Sequence, residues 1–224
     1  MQVRSPRVRA KRERRRAEIL RAALRAFRAR GYHATTLDAI AEQLGVRKTA
    51  LYHYFPDKQA ILLACHRESI SDLERIVAEA GRLRGAAAGL RHVIVEHVRV
   101  ITDAFGGSPL AFEVGSLDAE RQAGIIEARD RYERAMRDII ERGMRAGTFR
   151  RGNAKVAAFT ILGALNGIAR WYRPDGELVA RALGEQFASH LVGGLLASPA
   201  TRPRAGRGVG ATLQRAAIHR GAQA

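Results

Sequence analysis

Apolar residues recur at intervals of three and four along almost the whole chain, the spacing of helices that each turn one face inward. Ile19, Leu20, Ala23, Leu24 and Phe27 share a face and predict a first helix over about residues 10–30, ended by Gly31. Leu37, Ile40, Ala41 and Leu44 predict a short second helix, with Thr36 as its N-cap and Asp38 where the helix dipole favours an acid. Gly45 then stands where a tight turn needs a left-handed backbone, and Val46 can plug the corner. Leu51, Tyr54 and Phe55 give a third short helix its apolar side, and Pro56-Asp57 opens a fourth. Later periodicity predicts helices near 57–81, 86–105, 117–146, 154–171 and 177–196, and admits a short one near 109–115. Breaks fall at Gly85, Gly106-Gly107-Ser108-Pro109, Gly147, Gly152 and Pro174-Asp175-Gly176. No segment alternates in the manner of a strand, so the class is all-α.

The second and third helices, meeting at Gly45 with the small Ala41 at their crossing, have the build of a helix-turn-helix whose second helix can enter a major groove. Outward on that helix stand Arg47, Lys48, Thr49, Tyr52 and His53, all suited to phosphates and base edges. The start of the second helix, at Thr36, also points amides and a hydroxyl towards a phosphate. Lys58 in the first turn of the fourth helix opposes the dipole, and a phosphate contact explains it better than helix stability does. Helix–Gly–helix pairs also occur in ordinary bundles, and the pattern alone leaves both readings open.

Two later helices have distinctive surfaces. Residues 156–169 are apolar nearly all round, predicting burial on most sides, and Phe159, Gly163 and Gly167 lie four apart as a flat groove for another helix. Val179, Leu183, Phe187, Leu191 and Leu195 recur every four residues in the last helix. Paired with their copies, these helices would form a twofold four-helix interface; alternatively both stripes fill the subunit's own core.

Charge sharpens the picture. The 224-residue chain carries a formal +17 and a pI near 11.3, which points to an anionic partner. Residues 1–60 hold 15 Lys/Arg against 5 Asp/Glu, residues 61–198 hold 19 against 17, and residues 199–224 hold 5 against none. Thirty-five of the 39 basic residues are arginine, which a biased coding composition can also produce. Yet Lys48 and Lys58, two of the four lysines, flank the third helix. The expected organisation is a disordered basic arm (1–9), a helix-turn-helix DNA-binding domain (10–56), a helical ligand-binding and dimerisation domain (57–198) and a disordered basic tail (199–224). Beside a helix-turn-helix the arm can follow phosphates or enter a minor groove, or it can merely solubilise.

Other classes fit poorly. A single cysteine, Cys65, excludes an intramolecular disulfide framework and reads as a small core residue in a reducing cytoplasm. No run of about 18 apolar residues exists and the N-terminus lacks an apolar signal core, so neither membrane insertion nor secretion is expected. Nucleotide, zinc-protease and hydrolase motifs are missing, so no catalytic residue and no cofactor is expected. His92, Glu96 and His97 come nearest to a metal cluster, but histidines five apart lie on different helix faces.

Thr35-Thr36, Ile40-Ala41, Gly45-Val46, Lys48, Leu51-Tyr52-His53-Tyr54-Phe55 and Lys58 together resemble the DNA-binding domain of TetR-family transcriptional regulators, over about residues 15–62. The resemblance implies a homodimeric repressor with a three-helix DNA-binding domain on a larger helical domain that binds a small ligand. Thr36 and Lys58 would then touch phosphates, while Lys48, Thr49, Tyr52 and His53 face the groove of a double-stranded operator. The chain departs from the family pattern at Arg47, where Ser or Thr often caps the recognition helix, and at Thr49-Ala50, where Gly and a small polar residue are common. Arginine is a poor cap but a strong phosphate or guanine ligand. Further on, Arg129-Asp130-Arg131-Tyr132-Glu133 and Asn166-Gly-Ile-Ala-Arg170-Trp171-Tyr172-Arg173-Pro174 look like the subgroup controlling fatty-acid or sterol catabolism. That likeness implies an acyl-CoA effector, with Arg129, Tyr132, Asn166, Arg170 and Trp171 as ligand-binding residues. The alternative function is a sequence-independent architectural DNA-binding protein.

Overall fold

A computed structural model describes residues 6–102 and 113–197. Among them are eight α-helices: α1 (Pro6–Arg30), α2 (Leu37–Gln43), α3 (Lys48–Tyr52), α4 (Lys58–Ala80), α5 (Ala86–Thr102), α6 (Ala119–Arg145), α7 (Ala154–Trp171) and α8 (Ala180–Gly193). A 3-10 turn, Val114–Ser116, precedes α6. The described residues contain no strand beyond one isolated antiparallel bridge, Phe149 to Leu196. The protein is all-α, as its periodicity predicts.

Local chemistry starts the helices. Thr36, Asp57, Asp118 and Asn153 each accept an amide from the first turn that follows, at 3.1, 2.6, 2.9 and 3.0 Å, satisfying donors that a helix end leaves orphaned. α1 begins earlier than expected: residues 6–9, assigned from sequence to a disordered arm, are helical. Proline suits a first turn, and the Arg9–Glu13 pair at 3.1 Å supports the segment. Residues 1–5 of that arm and the tail 199–224 lie outside the described residues.

The apolar interior forms two clusters, and they do not divide at residue 57. The first joins Ile19, Leu20 and Phe27 of α1, Ile40 and Ala41 of α2, and Leu51 and Phe55 to Ile61, Leu62 and Cys65 of α4, with Ile125 and Ala128 of α6. The second joins Ile76 and Ala80 of α4 to Leu90 and Ile94 of α5, Met136 and Ile140 of α6, Ile161 and Leu165 of α7, and Leu183 and Ala188 of α8. α4 therefore spans both clusters, as does α6.

The last helices depart from the sequence reading. α7 is not buried on most sides, for Val156 is 59% and Phe159 54% exposed. A Cβ built at Gly163 or Gly167 meets nothing within 4 Å. In α8 the four-residue stripe splits. Every fourth residue advances about 40° around a helix, so the stripe winds across the surface rather than staying on one face. Leu183 belongs to the subunit's own core, Phe187 and Leu191 are half-buried, and Val179, the N-cap, is 67% exposed.

One close approach fixes the end of α6. A Cβ at Gly143 would run into the Phe149 ring and the Ala86 methyl, and Phe149 is buried too deeply to move aside. Gly143→Ala should lower unfolding stability by about 1–3 kcal/mol, the usual cost of overpacking, read as a lower urea midpoint.

Candidate nucleic-acid interface

α2 and α3 are held at a fixed angle by their connecting turn. Gly45 takes φ +62°, where a side chain would be strained. Its amide donates to the Glu42 carbonyl at 3.0 Å, and the Val46 amide donates to Ala41 at 3.0 Å. Leu51 and Phe55 anchor α3 from below, almost fully buried.

That anchoring decides what faces out. Arg47, Thr49, Tyr52 and His53 are all exposed, Tyr52 at 48%. Arg47 sits at the N-cap with extended backbone and makes no capping bond, and it is exposed. Thr36 uses its hydroxyl oxygen as the α2 cap and keeps the hydroxyl proton for an outside acceptor. Lys48 is half-buried and donates to Asp38 Oδ2 at 2.8 Å, a partner that its sequence position does not disclose.

Lys58 corrects the reading from sequence. Its ammonium donates to the carbonyls of Tyr32 at 2.9 Å, Thr35 at 2.9 Å and His33 at 3.3 Å, and lies 4.3 Å from the centre of the Tyr32 ring. Three donors meet three carbonyls, so none is left for a phosphate. Lys58 clamps the loop between α1 and α2 by donating to three of its carbonyls at once. Burial pushes its ammonium below the ordinary lysine value.

The segment leading into α6 straps onto this unit. Arg121 grips Asp57 through two nitrogens at 3.1 and 3.2 Å, the Asp118 amide donates to Gln59 Oε1 at 2.9 Å, and Ser116 Oγ lies 3.1 Å from His33 Nε2. Burial alone would raise the Asp57 carboxyl, but hydrogen bonds from Arg121 and the Ala60 amide outweigh it and leave the group below its ordinary value. A further link runs from the Arg28 guanidinium to the Tyr172 carbonyl at 3.3 Å.

Where the two apolar clusters meet, the interior turns polar. His66 of α4 is 2% exposed, and its Nε2 has no hydrogen-bond partner among the described residues. Arg129 of α6 is half-buried, and its charge together with burial pushes the His66 ring down to about 4, burial being the larger cause. Next along α6, Tyr132 shares a 2.8 Å hydrogen bond with His97 Nδ1, and burial holds that ring at about 4 as well. Of the five residues proposed from sequence for a ligand, Arg129 and Tyr132 reach this interior. Asn166 is half-buried, whereas Arg170 is exposed and Trp171 stacks on Phe187 at 6.3 Å while remaining 46% exposed. A notch of about 120 Å³ beside Trp171, lined by Tyr172 and Leu178, is smaller than a cavity for a sizeable organic ligand, which takes roughly 300 Å³ or more. Sequence periodicity marks His66 and His97 only as polar residues on apolar faces, and gives no hint that Asp57 and Arg121 pair.

Comparison with known proteins agrees with this geometry. Residues 19–65 match the family described as bacterial regulatory proteins, tetR family, and residues 84–195 match the tetracyclin repressor-like C-terminal domain. The transcriptional repressor KstR2 of Rhodococcus jostii is 31% identical over 193 residues, covering 83% of this chain and 92% of that protein. The fatty acid metabolism regulator protein of Bacillus subtilis is 25% identical over 185 residues, covering 80% of this chain and 94% of that one. Among solved structures, the TetR family transcriptional regulator PfmR from Thermus thermophilus superposes with a TM-score of 0.72 at 30% identity, covering 78% of this chain and 96% of that one.

Two outcomes follow from the geometry. Lys58→Met should cost about 1.5–3 kcal/mol of stability, the range for hydrogen bonds to a charged group, and should leave the salt dependence of DNA binding unchanged. A phosphate contact would instead reduce that slope by about one per subunit. The second outcome concerns acid. A histidine near 4 in the fold and near 6.5 when unfolded stabilises the fold fully above pH 6.5 and loses that contribution as pH falls towards 4. Chemical denaturation should show a loss of about 1.4 kcal/mol per pH unit for each ring in that window, and His66→Phe should remove one share.

Proposed function

This chain belongs to the TetR family of bacterial regulatory proteins and is a DNA-binding transcriptional regulator, not an enzyme; on that premise we propose that it is a cytoplasmic, homodimeric repressor. A small amphiphilic effector of the acyl-CoA class releases it from a palindromic operator. The observation carrying this reading is the outward polar face of α3 on a rigid helix-turn-helix. Arg47, Lys48, Thr49, Tyr52 and His53 read the groove, and Thr36 holds a phosphate at the start of α2. Lys58 acts behind them as a positioning residue.

The dimer rests on the outward apolar face of α7, where Phe159, Gly163 and Gly167 lie open, joined by Val179, Phe187 and Leu191 of α8. An apolar face of this kind on a soluble chain is a contact surface, and twofold pairing presents two copies of α3 to successive major grooves. No helix among the described residues is long and apolar enough to cross a membrane.

The effector class is supported by the relatives, a transcriptional repressor and a regulator of fatty acid metabolism, and by the polar group buried inside α4, α5 and α6. Arg129 and His66 bring N–H groups amid apolar walls, beside the Tyr132 hydroxyl that His97 holds in place, which suits an acyl chain ending in an oxygen-bearing group. Asn166, Arg170 and Trp171 serve, if they bind effector, from the outer end of α7. An effector shifts the two copies of α3 only by its differential affinity for two dimer shapes, and α4 with the strap at Asp57 conveys the difference.

The test is competition binding on DNA from beside the protein's own gene, with excess random duplex present and octanoyl-CoA as the effector probe. Preferential binding, relief by the thioester, and about 5- to 150-fold weaker binding by Tyr52→Ala with the dimer intact are expected, the range matching about 1–3 kcal/mol for a base-reading contact. Equal affinity for random DNA would favour an architectural protein, and indifference to acyl-CoAs would remove the effector class.

A further inference from the structure

The first turns of α1 have no structural employment within the subunit. The helix starts at Pro6, its first buried residue is Ile19, and residues 6–14 are all exposed, so about 13 Å of rod stands clear of either core at 1.5 Å per residue. Several cations on this rod are accounted for. Arg9 pairs with Glu13, Arg15 with Glu18, and Arg16 lies 3.7 Å from Glu68 and 5.3 Å from the centre of the Phe55 ring. Arg7, Lys11, Arg12 and Arg14 are exposed and have no partner among the described residues, and Arg7, Lys11 and Arg14 share one face while Arg12 points from another.

These three are spaced four and three apart, which puts them on a single stripe of the helix. Helix stability does not explain them. Like charges at that spacing repel by a few tenths of a kcal/mol, and cations near an N-terminus oppose the dipole, with no acid in the first turn to offset it. An external polyanion does explain them. The stripe is about 10 Å long, over which one strand of a duplex presents about three phosphates at 3.4 Å each. The base of the extension is tied to the same helix-turn-helix unit, because Arg16 lies over Phe55, just past the end of α3. An anionic membrane surface is a poorer match, since Val8 and Ala10 are the only apolar residues among the exposed turns beyond Pro6 and give no insertable face.

We propose that the α1 extension is a second, sequence-independent DNA contact, in which Arg7, Lys11 and Arg14 of each subunit hold backbone phosphates flanking the operator. This rests on the DNA-binding reading and adds a footprint beyond the bases that α3 contacts. The contact lengthens the bound site without adding sequence information, so it raises affinity for operator and random DNA by the same factor.

The test uses the full-length protein and its triple variant Arg7→Gln, Lys11→Gln, Arg14→Gln, with circular dichroism and sedimentation to verify helicity and assembly. Affinity for the operator and for random duplex is measured across a salt series. The variant should show a log–log salt slope shallower by up to about 5, from roughly 0.9 per phosphate over six contacts in a dimer, and at least tenfold weaker binding near 0.15 M salt. The operator-to-random ratio should stay the same. Shortening the duplex to the core operator should weaken the wild type and leave the variant unchanged, and the charge-keeping double variant Arg7→Lys, Arg14→Lys, with Lys11 in place, should retain the wild-type slope. An unchanged slope in a folded variant overturns this contact alone. A wild type that shows no operator preference overturns the specific DNA reading, while a slope loss in that same protein still supports the contact.

Discussion

α4 is packed into two cores at once, and the behaviour of the subunit depends on that sharing. Ile61, Leu62 and Cys65 fix its first half among the helices that carry the DNA-reading face. Ile76 and Ala80 fix its second half among α5, α6, α7 and α8. Close-packed interiors have low compressibility and transmit strain, so a displacement at one end of such a rod is felt at the other. The middle of the helix is its least apolar stretch. His66 stands there with an unmatched ring nitrogen, opposite Arg129, where an apolar pair would have sealed the two cores together. A polar joint between apolar clusters costs stability and leaves room for a second arrangement.

The strap at the head of α6 limits which arrangements are available. Asp57 and Arg121, Gln59 and the Asp118 amide, and His33 and Ser116 connect the loop around Lys58 to the ligand-binding helices. Asp57 and Arg121 keep substantial solvent contact, at 46% and 27% of their side chains, and exposed pairs are worth little as stability. Their value is positional. Two bonds between Arg121 and the N-cap of α4 set the angle at which α4 leaves the loop, and Lys58 sets the loop itself against the end of α1. Together they orient the start of α2 and, through Gly45, the face of α3.

Much of this is legible in the sequence because it rests on local chemistry. The helix-turn-helix shows itself through Gly45, the small Ala41, the cap at Thr36 and the alternation of buried Leu51 with exposed Tyr52. All these are properties of neighbours in the chain. Lys58 misleads because its partners, the carbonyls of residues 32, 33 and 35, lie more than twenty positions earlier and backbone carbonyls leave no mark on sequence. α7 misleads for a different reason. An apolar circumference predicts burial, but it does not say whether the burial occurs within a subunit or between copies, and Phe159 and Val156 remain open. Leu183 illustrates the converse: a four-residue repeat on α8 drifts around the helix, so one stripe supplies both core and surface. The interior pair His97 and Tyr132 and the lone His66 need tertiary packing before their polarity means anything.

The electrostatics of the reading face show why a strongly basic chain still contains acids in its DNA-binding unit. Lys48 is held by Asp38 at 2.8 Å, an exposed pair whose loss costs little. A phosphate with the right geometry can therefore take Lys48 away from Asp38, while a poorly placed one meets a neutralised lysine beside a carboxylate. If Lys48 meets a phosphate as proposed, the pair withholds affinity from loosely apposed DNA and releases it on close docking. Such a device favours discrimination over strength, which matters most where the rest of the surface is positive and binds any duplex. Under the proposed function, specificity is carried by a few restrained groups on α3, set against a background of charge that does not read sequence.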